Sequence, residues 1–159
     1  MQLFLQIRMG DRGYLLEARC ITRVLPLMLI RSAPAAEKGV VGIINYQGLP
    51  VPVLDVTEML LQRPSVQRVT TRLILLSVAD VMADDASRTH RAVALLAEGA
   101  SDVIRLAPND FVASARTGGL PYLGATVNVD GSLLQKIELA ELLRATCLAA
   151  PGLNSGNTA

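Results

Sequence analysis

The stretch NYQGLPVPVLDV, residues 45–56, decides how this chain folds. It is apolar and extended in character, and Gln47-Gly48 joins it to a preceding strand-like run, Gly39–Tyr46, as a hairpin turn would. Yet Pro50 and Pro52 sit in its middle, and proline cannot donate to a β-ladder. In an extended chain successive N–H groups point to opposite edges. The two missing donors therefore fall on one edge, and the N–H groups of Val51 and Val53 serve the other. Such a segment pairs on one side and is blocked on the second, which fits an edge strand or the seam of a small barrel.

Outward from this hairpin the chain reads as many short strands. Residues 2–8 form one, Gly10-Asp11-Arg12-Gly13 a turn, and Tyr14–Glu17 the start of another. Ile21–Ile30 is apolar but interrupted by Pro26, and residues 31–38 form a loop. Gly42 inside its strand suggests a bulge or the close approach of another chain segment. Asp55 and Glu58 have capping-box spacing ahead of Met59, Leu60 and Leu61, so a short helix follows the proline strand. After a polar connector at 62–70, Arg72–Val78, Ala92–Ala97 and Ala100–Leu106 read as strands, with a loop at 83–89. Pro108-Asn109-Asp110 and Thr117-Gly118-Gly119 are turns. Leu123, Ala125, Val127 and Val129 alternate with polar or small residues, Asp130-Gly131 turns the chain, and Leu133–Ile137 returns. Glu138–Ala145 closes the pattern as a helix with a stripe of Leu139, Leu142 and Leu143. There is no exact repeat, but Gly48–Val56 and Gly131–Ile137 both return as a strand followed by a short Leu-rich helix. The fold class expected is all-β with short helices.

The totals narrow the function. At 159 residues, 51% of them apolar, the chain suits a domain with a real core. A net charge of +1 without long runs of one sign argues against nucleic acid and anionic membranes as partners. The absence of Trp and the scarcity of Phe and Tyr argue against a base-stacking platform. Cys20 and Cys147 lie far apart, outside any metal or redox motif, as thiols in a reducing compartment do. The opening MQLFLQIRMGDR has no basic region ahead of its apolar run, and residues 39–54 carry Gly and Pro throughout. Neither a signal peptide nor membrane insertion is expected, and a cytoplasmic location is. His90 is the only histidine, with no nucleophile beside it in a recognisable pattern. Asp84 and Asp85 lack the spacing of a calcium loop, and Asp55 reads as a helix cap. No catalytic residue, cofactor or metal is expected. Binding through shape is the natural use of such a module. A small-ligand-binding β-barrel and a hydrolase with an unrecognised site are the alternatives.

In this order the motifs resemble the CheW-like family, adaptors that couple chemoreceptors to a histidine kinase. Its matching residues are Tyr14-Leu15-Leu16-Glu17, Gly39-Val40-Val41-Gly42, Asn45-Tyr46-Gln47-Gly48, the run Pro50–Val56, Glu98-Gly99-Ala100-Ser101-Asp102-Val103 and the closing Asp130-Gly131 strand with its helix. The resemblance implies two SH3-like five-stranded β-barrel subdomains, intertwined around a shared core within residues 1–148. Their boundary would lie near 62–72, and 149–159 would be a flexible tail. It implies no enzyme activity, but a scaffold binding the regulatory domain of a CheA-type histidine kinase and the cytoplasmic tip of a chemoreceptor. Carried over by motif, the receptor- or kinase-binding positions are Ile21, Arg23, Gly42, Asn45, Gln47 and Val103. The family usually has arginine where Gln47 stands and an acid where Arg23 stands. The usual ion pair is thus replaced by a pairing that only a hydrogen bond would hold, which implies a specialised adaptor of an alternative, for example surface-sensing, pathway.

Overall fold

The computed structural model describes residues 1–33, 39–83, 91–113 and 119–146. A hairpin, β1 (Gln2–Met9) and β2 (Arg12–Glu17), opens the chain, and one 3-10 turn at Ala18–Cys20 leads to β3 (Ile21–Pro26). Next come β4 (Val40–Tyr46), β5 (Leu49–Asp55), α1 (Val56–Leu61), β6 (Arg72–Ser77), α2 (Val78–Met82) and β7 (Ala92–Ala97). β8 (Gly99–Leu106), β9 (Leu123–Val129), β10 (Ser132–Ile137) and α3 (Leu139–Arg144) complete it. The strands form two five-stranded sheets, ordered β8-β1-β2-β10-β9 and β3-β6-β7-β5-β4. Each sheet has one parallel contact, β2 with β10 and β5 with β7.

The chain crosses twice between the sheets. β2 belongs to the first and passes through Ala18–Cys20 into β3, the outer strand of the second. β7 belongs to the second and passes through Glu98 into β8, the outer strand of the first. Each central hairpin thus feeds the edge of the opposite sheet.

This exchange explains the long apolar runs. Strands β6 and β7 and the centre of β2 are covered on both faces, so their sequences do not alternate, whereas β1 is buried on both faces only at Phe4 and Leu5 and alternates from there to Met9. Leu5, Ile7, Tyr14 and Leu16 meet Ile74, Leu76, Val93 and Leu95 in a core shared by the sheets. The opposite faces serve private cores: Leu73, Leu75, Ala94 and Leu96 with Ile44, Val51 and Val53 in the second sheet, and Phe4, Leu15, Leu106, Val127 and Leu134 in the first.

Three details differ from expectation. The sheets are not closed barrels. β3 ends at Pro26, which has no N–H with which to continue a ladder, and β8 runs into a 3-10 turn at Pro108–Asp110. Beyond those points, among the described residues, only single bridges reach the far edge strands, Arg31 to Ile43 and Val112 to Thr126. In addition, Val78, expected as the end of a strand, opens the helix α2, capped by Ser77, whose Oγ accepts from Asp80 N at 3.3 Å; the expected loop at 83–89 lies outside the described residues from 84 onward. His90, Asp84, Asp85, Cys147, Thr117, Gly118 and residues 149–159 lie outside the described residues.

The prolines do what their chemistry requires, in a different place. β5 is not an edge strand, because it lies between β4 and β7. Pro50 and Pro52 stand opposite Asn45 and Ile43, at the antiparallel positions that exchange no N–H bonds. Their bare edge faces β7, and the parallel ladder with β7 starts only at Val53. The first sheet supplies a control. Its hairpin turn at Asp130-Gly131 (φ +50° and +84°) repeats Gln47-Gly48 (φ +52° and +83°). Asn128 and Asn45 accept from the turn glycines in the same way, at 3.0 and 2.9 Å. Counted from these turns, Leu134 and Gln135 correspond to Val51 and Pro52, and both pair with β2. Where glutamine replaces the proline, the parallel ladder begins two residues earlier.

Candidate docking surface

The hairpin at residues 45–48 is built by local chemistry. Both turn residues need positive φ, which glycine supplies freely and Gln47 adopts with some strain, so Asn45 Oδ1 holds the turn by accepting from Gly48 N. Asn45 and Gln47 are exposed. Their flank is apolar: Leu49 is 65% exposed, Ile43 40%, and Leu29 76%. Met28, Leu29, Ile43 and Pro50 border one shallow cleft beside the turn, and Leu49, Pro52 and Arg91 border the next. An exposed apolar group of this kind on a sheet edge suits contact with another protein.

Gly42 is buried and offers nothing to a partner directly. The β4 ladder shifts register between Val40 and Gly42, and a Cβ at Gly42 would run into the Arg31 carbonyl and lie 2.6 Å from Ile30 Cγ2. Both readings of this glycine from sequence, a bulge and a close approach, therefore hold. Its absent side chain lets Arg31 and Ile43 exchange backbone hydrogen bonds of 2.9 and 2.8 Å. That bridge places Leu29 beside the hairpin.

The remaining positions sit on other edges. Ile21 is half-buried against the shared core, and Arg23 is exposed on β3, opposite Leu75. Val103, 57% exposed, lies on β8 of the other sheet, opposite Leu5. Among the described residues no hydrogen bond joins Arg23 to Gln47. The six positions thus fall on the hairpin, β3 and β8. Sequence reasoning missed Val24, Leu29, Ile43 and Leu49. Exposure of an apolar residue in a strand leaves no mark beyond interrupted alternation, and here the register shift hid even that.

Both crossings between the sheets are clamped by a glutamate. Glu17 pairs with Lys136 at 2.9 Å and Arg19 at 2.7 Å. Burial alone would raise its carboxyl, but the hydrogen bond and charge of Lys136, with Arg19, hold it below the ordinary range. Glu98 accepts from both Arg63 guanidinium nitrogens (3.0 and 2.9 Å) and from the backbone N–H groups of Gly10 and Val66, each at 2.7 Å. The Arg63 hydrogen bond outweighs desolvation and brings its pKa from 4.5 to about 2. Asp55, 3% exposed, accepts from Glu58 N, Ser65 N and Ser65 Oγ. It is a helix cap and loop anchor. Among the described residues no group of His, Cys, Asp and Glu is placed to hold a metal, and no helix is long and apolar enough to cross a membrane.

Comparison with known proteins agrees with this architecture. A family model described as CheW-like domain matches residues 3–147. The fold is similar to that of the scaffolding protein TtCheW from Thermoanaerobacter tengcongensis, with a TM-score of 0.74 and 15% sequence identity, over 99% of this chain and 92% of that one. No curated protein matches in sequence.

Proposed function

This chain belongs to the CheW-like family, and from that premise we propose that it is a non-catalytic cytoplasmic adaptor. It couples the cytoplasmic tip of a chemoreceptor to the regulatory domain of a CheA-type histidine kinase, within residues 1–148 acting as one unit. The observation that carries the reading is that the family match, over residues 3–147, includes the strands of both sheets. Two faces on one rigid body let a single molecule hold two partners, and repetition in an array raises effective concentration where single contacts are weak. Signalling then needs only that receptor states differ in their free energy of contact with the assembly.

On this reading Ile21, Arg23, Gly42, Asn45, Gln47 and Val103 mark the partner-facing edges, with Gly42 acting through the bridge it permits. Arg23 and Gln47 bias partner choice by charge and point to an alternative pathway, such as surface sensing. The test is capture of the purified kinase regulatory domain and of a receptor-tip fragment encoded near this gene. The expected result is binding of both, weakened by Leu49→Asp. Failure to capture either one sinks the adaptor reading. Exchanging Gln47→Arg together with Arg23→Glu is expected to shift preference among kinases or receptors, and unchanged preference removes the specificity claim.

A further inference from the structure

A cleft at the Glu98 crossing has a charge balance that the adaptor role does not use. Arg8, Arg63 and Arg68 line it together with Thr70, Glu98 and Ser101. Glu98 is already neutralised by Arg63, and its two oxygens receive four hydrogen bonds. Arg8 and Arg68 are both exposed, and among the described residues neither guanidinium has an ion-pair or hydrogen-bond partner. Two uncompensated guanidinium groups therefore face one cleft. Among the described residues Ser101 Oγ is held only by a long 3.4 Å bond to the Gln6 carbonyl, which leaves its hydroxyl weakly committed beside the cleft. Gly99 leaves the floor open beside the Arg8 side chain.

We propose that this cleft binds a doubly charged oxyanion of the phosphate type, either free or as the phosphate group of a small metabolite. Paired arginines match such an anion in charge and in planar, forked geometry. Among the described residues the cleft lining contains no aromatic ring, so the oxyanion itself is recognised and no base is stacked. Glu98 does not repel it, because its charge is satisfied on the side of Arg63.

The test is an amide chemical-shift titration with inorganic phosphate, pyrophosphate and a nucleoside monophosphate, against chloride at matched ionic strength. Saturable shifts at Gly10, Gly99 and Ser101 are expected. The double variant Arg8→Gln, Arg68→Gln should weaken binding by about tenfold or more. It should leave Tm unchanged, since both side chains are exposed and unpaired. Equal binding of phosphate and nucleotide marks free phosphate as the ligand, and tighter nucleotide binding marks a metabolite. No saturable shift with any of the three, or undiminished binding by the double variant, overturns the proposal. The readout is direct and does not depend on any kinase or receptor contact.

Discussion

Replacing Gly42 by alanine probes the feature that shapes the hairpin face. The added methyl meets Ile30 Cγ2 at 2.6 Å and the Arg31 carbonyl carbon at 3.0 Å. The side chain of Ile30 has some freedom to move, but the carbonyl belongs to the backbone and moves only with its chain segment. If the segment shifts, the cost is that of overpacking, about 1–3 kcal/mol. If the bridge opens, two backbone hydrogen bonds are lost at about 1 kcal/mol each. Against either cost stands the reduced entropy of the unfolded chain, about 0.4–1 kcal/mol. Gly42→Ala is therefore expected to destabilise the protein by about 1–2 kcal/mol, seen as a lower urea midpoint at unchanged m. The amides of Arg31 and Ile43 should lose protection in hydrogen exchange ahead of the rest of β4. A variant as stable as the parent, with both amides still protected, would refute the close-approach account of Gly42.

Other outcomes follow from the clamp, the prolines and the core. Glu98 has a folded pKa of about 2 against an ordinary 4.5, so its contribution is full above pH about 4.5 and is lost as pH falls toward 2. Glu98→Gln should therefore cost about 1–2 kcal/mol at neutral pH, after allowance for solvent screening, and the gap in urea stability should shrink below pH about 4. A gap that stays constant with pH would rule out the charge as its source. Pro52→Val restores a donor facing β7, and its new amide should be slow to exchange, as its counterpart in the first sheet is paired; rapid exchange at residue 52 would contradict the blocked-edge account. Leu95 is fully buried in the shared core, and Leu95→Ala should cost about 2–5 kcal/mol and lower the stability of both sheets in one transition. Two separated unfolding transitions would show that the sheets are not coupled.

Much of the fold was legible because its signals are local. Turn residues with positive φ, such as Gly48 and Gly131, announce hairpins, and the Asp55 cap announces α1. The runs Leu73–Leu76 and Val93–Ala97 read as buried strands because both faces are covered. What could not be read is set by long-range pairing. Nothing near Glu17 or Ala97 tells that the next strand joins the other sheet. The helix α2 was obscured because Val78 and Val81 continue the apolar character of β6, although Ser77 and Asp80 carried the cap spacing. At the candidate docking surface the hairpin was legible, as were two physical reasons for Gly42 that the register shift and the Arg31 approach both satisfy. The exposed leucines stayed hidden, since hydrophobicity alone does not say which side of a strand meets water.

The exchange of edge strands has a mechanical consequence. Two short covalent straps, at Ala18–Cys20 and at Glu98, tie each sheet's rim to the other's centre, so a torque applied to one rim reaches the opposite hairpin through three residues or fewer. A molecule strung this way acts as a stiff lever: whatever grips one edge also sets the pose of the other.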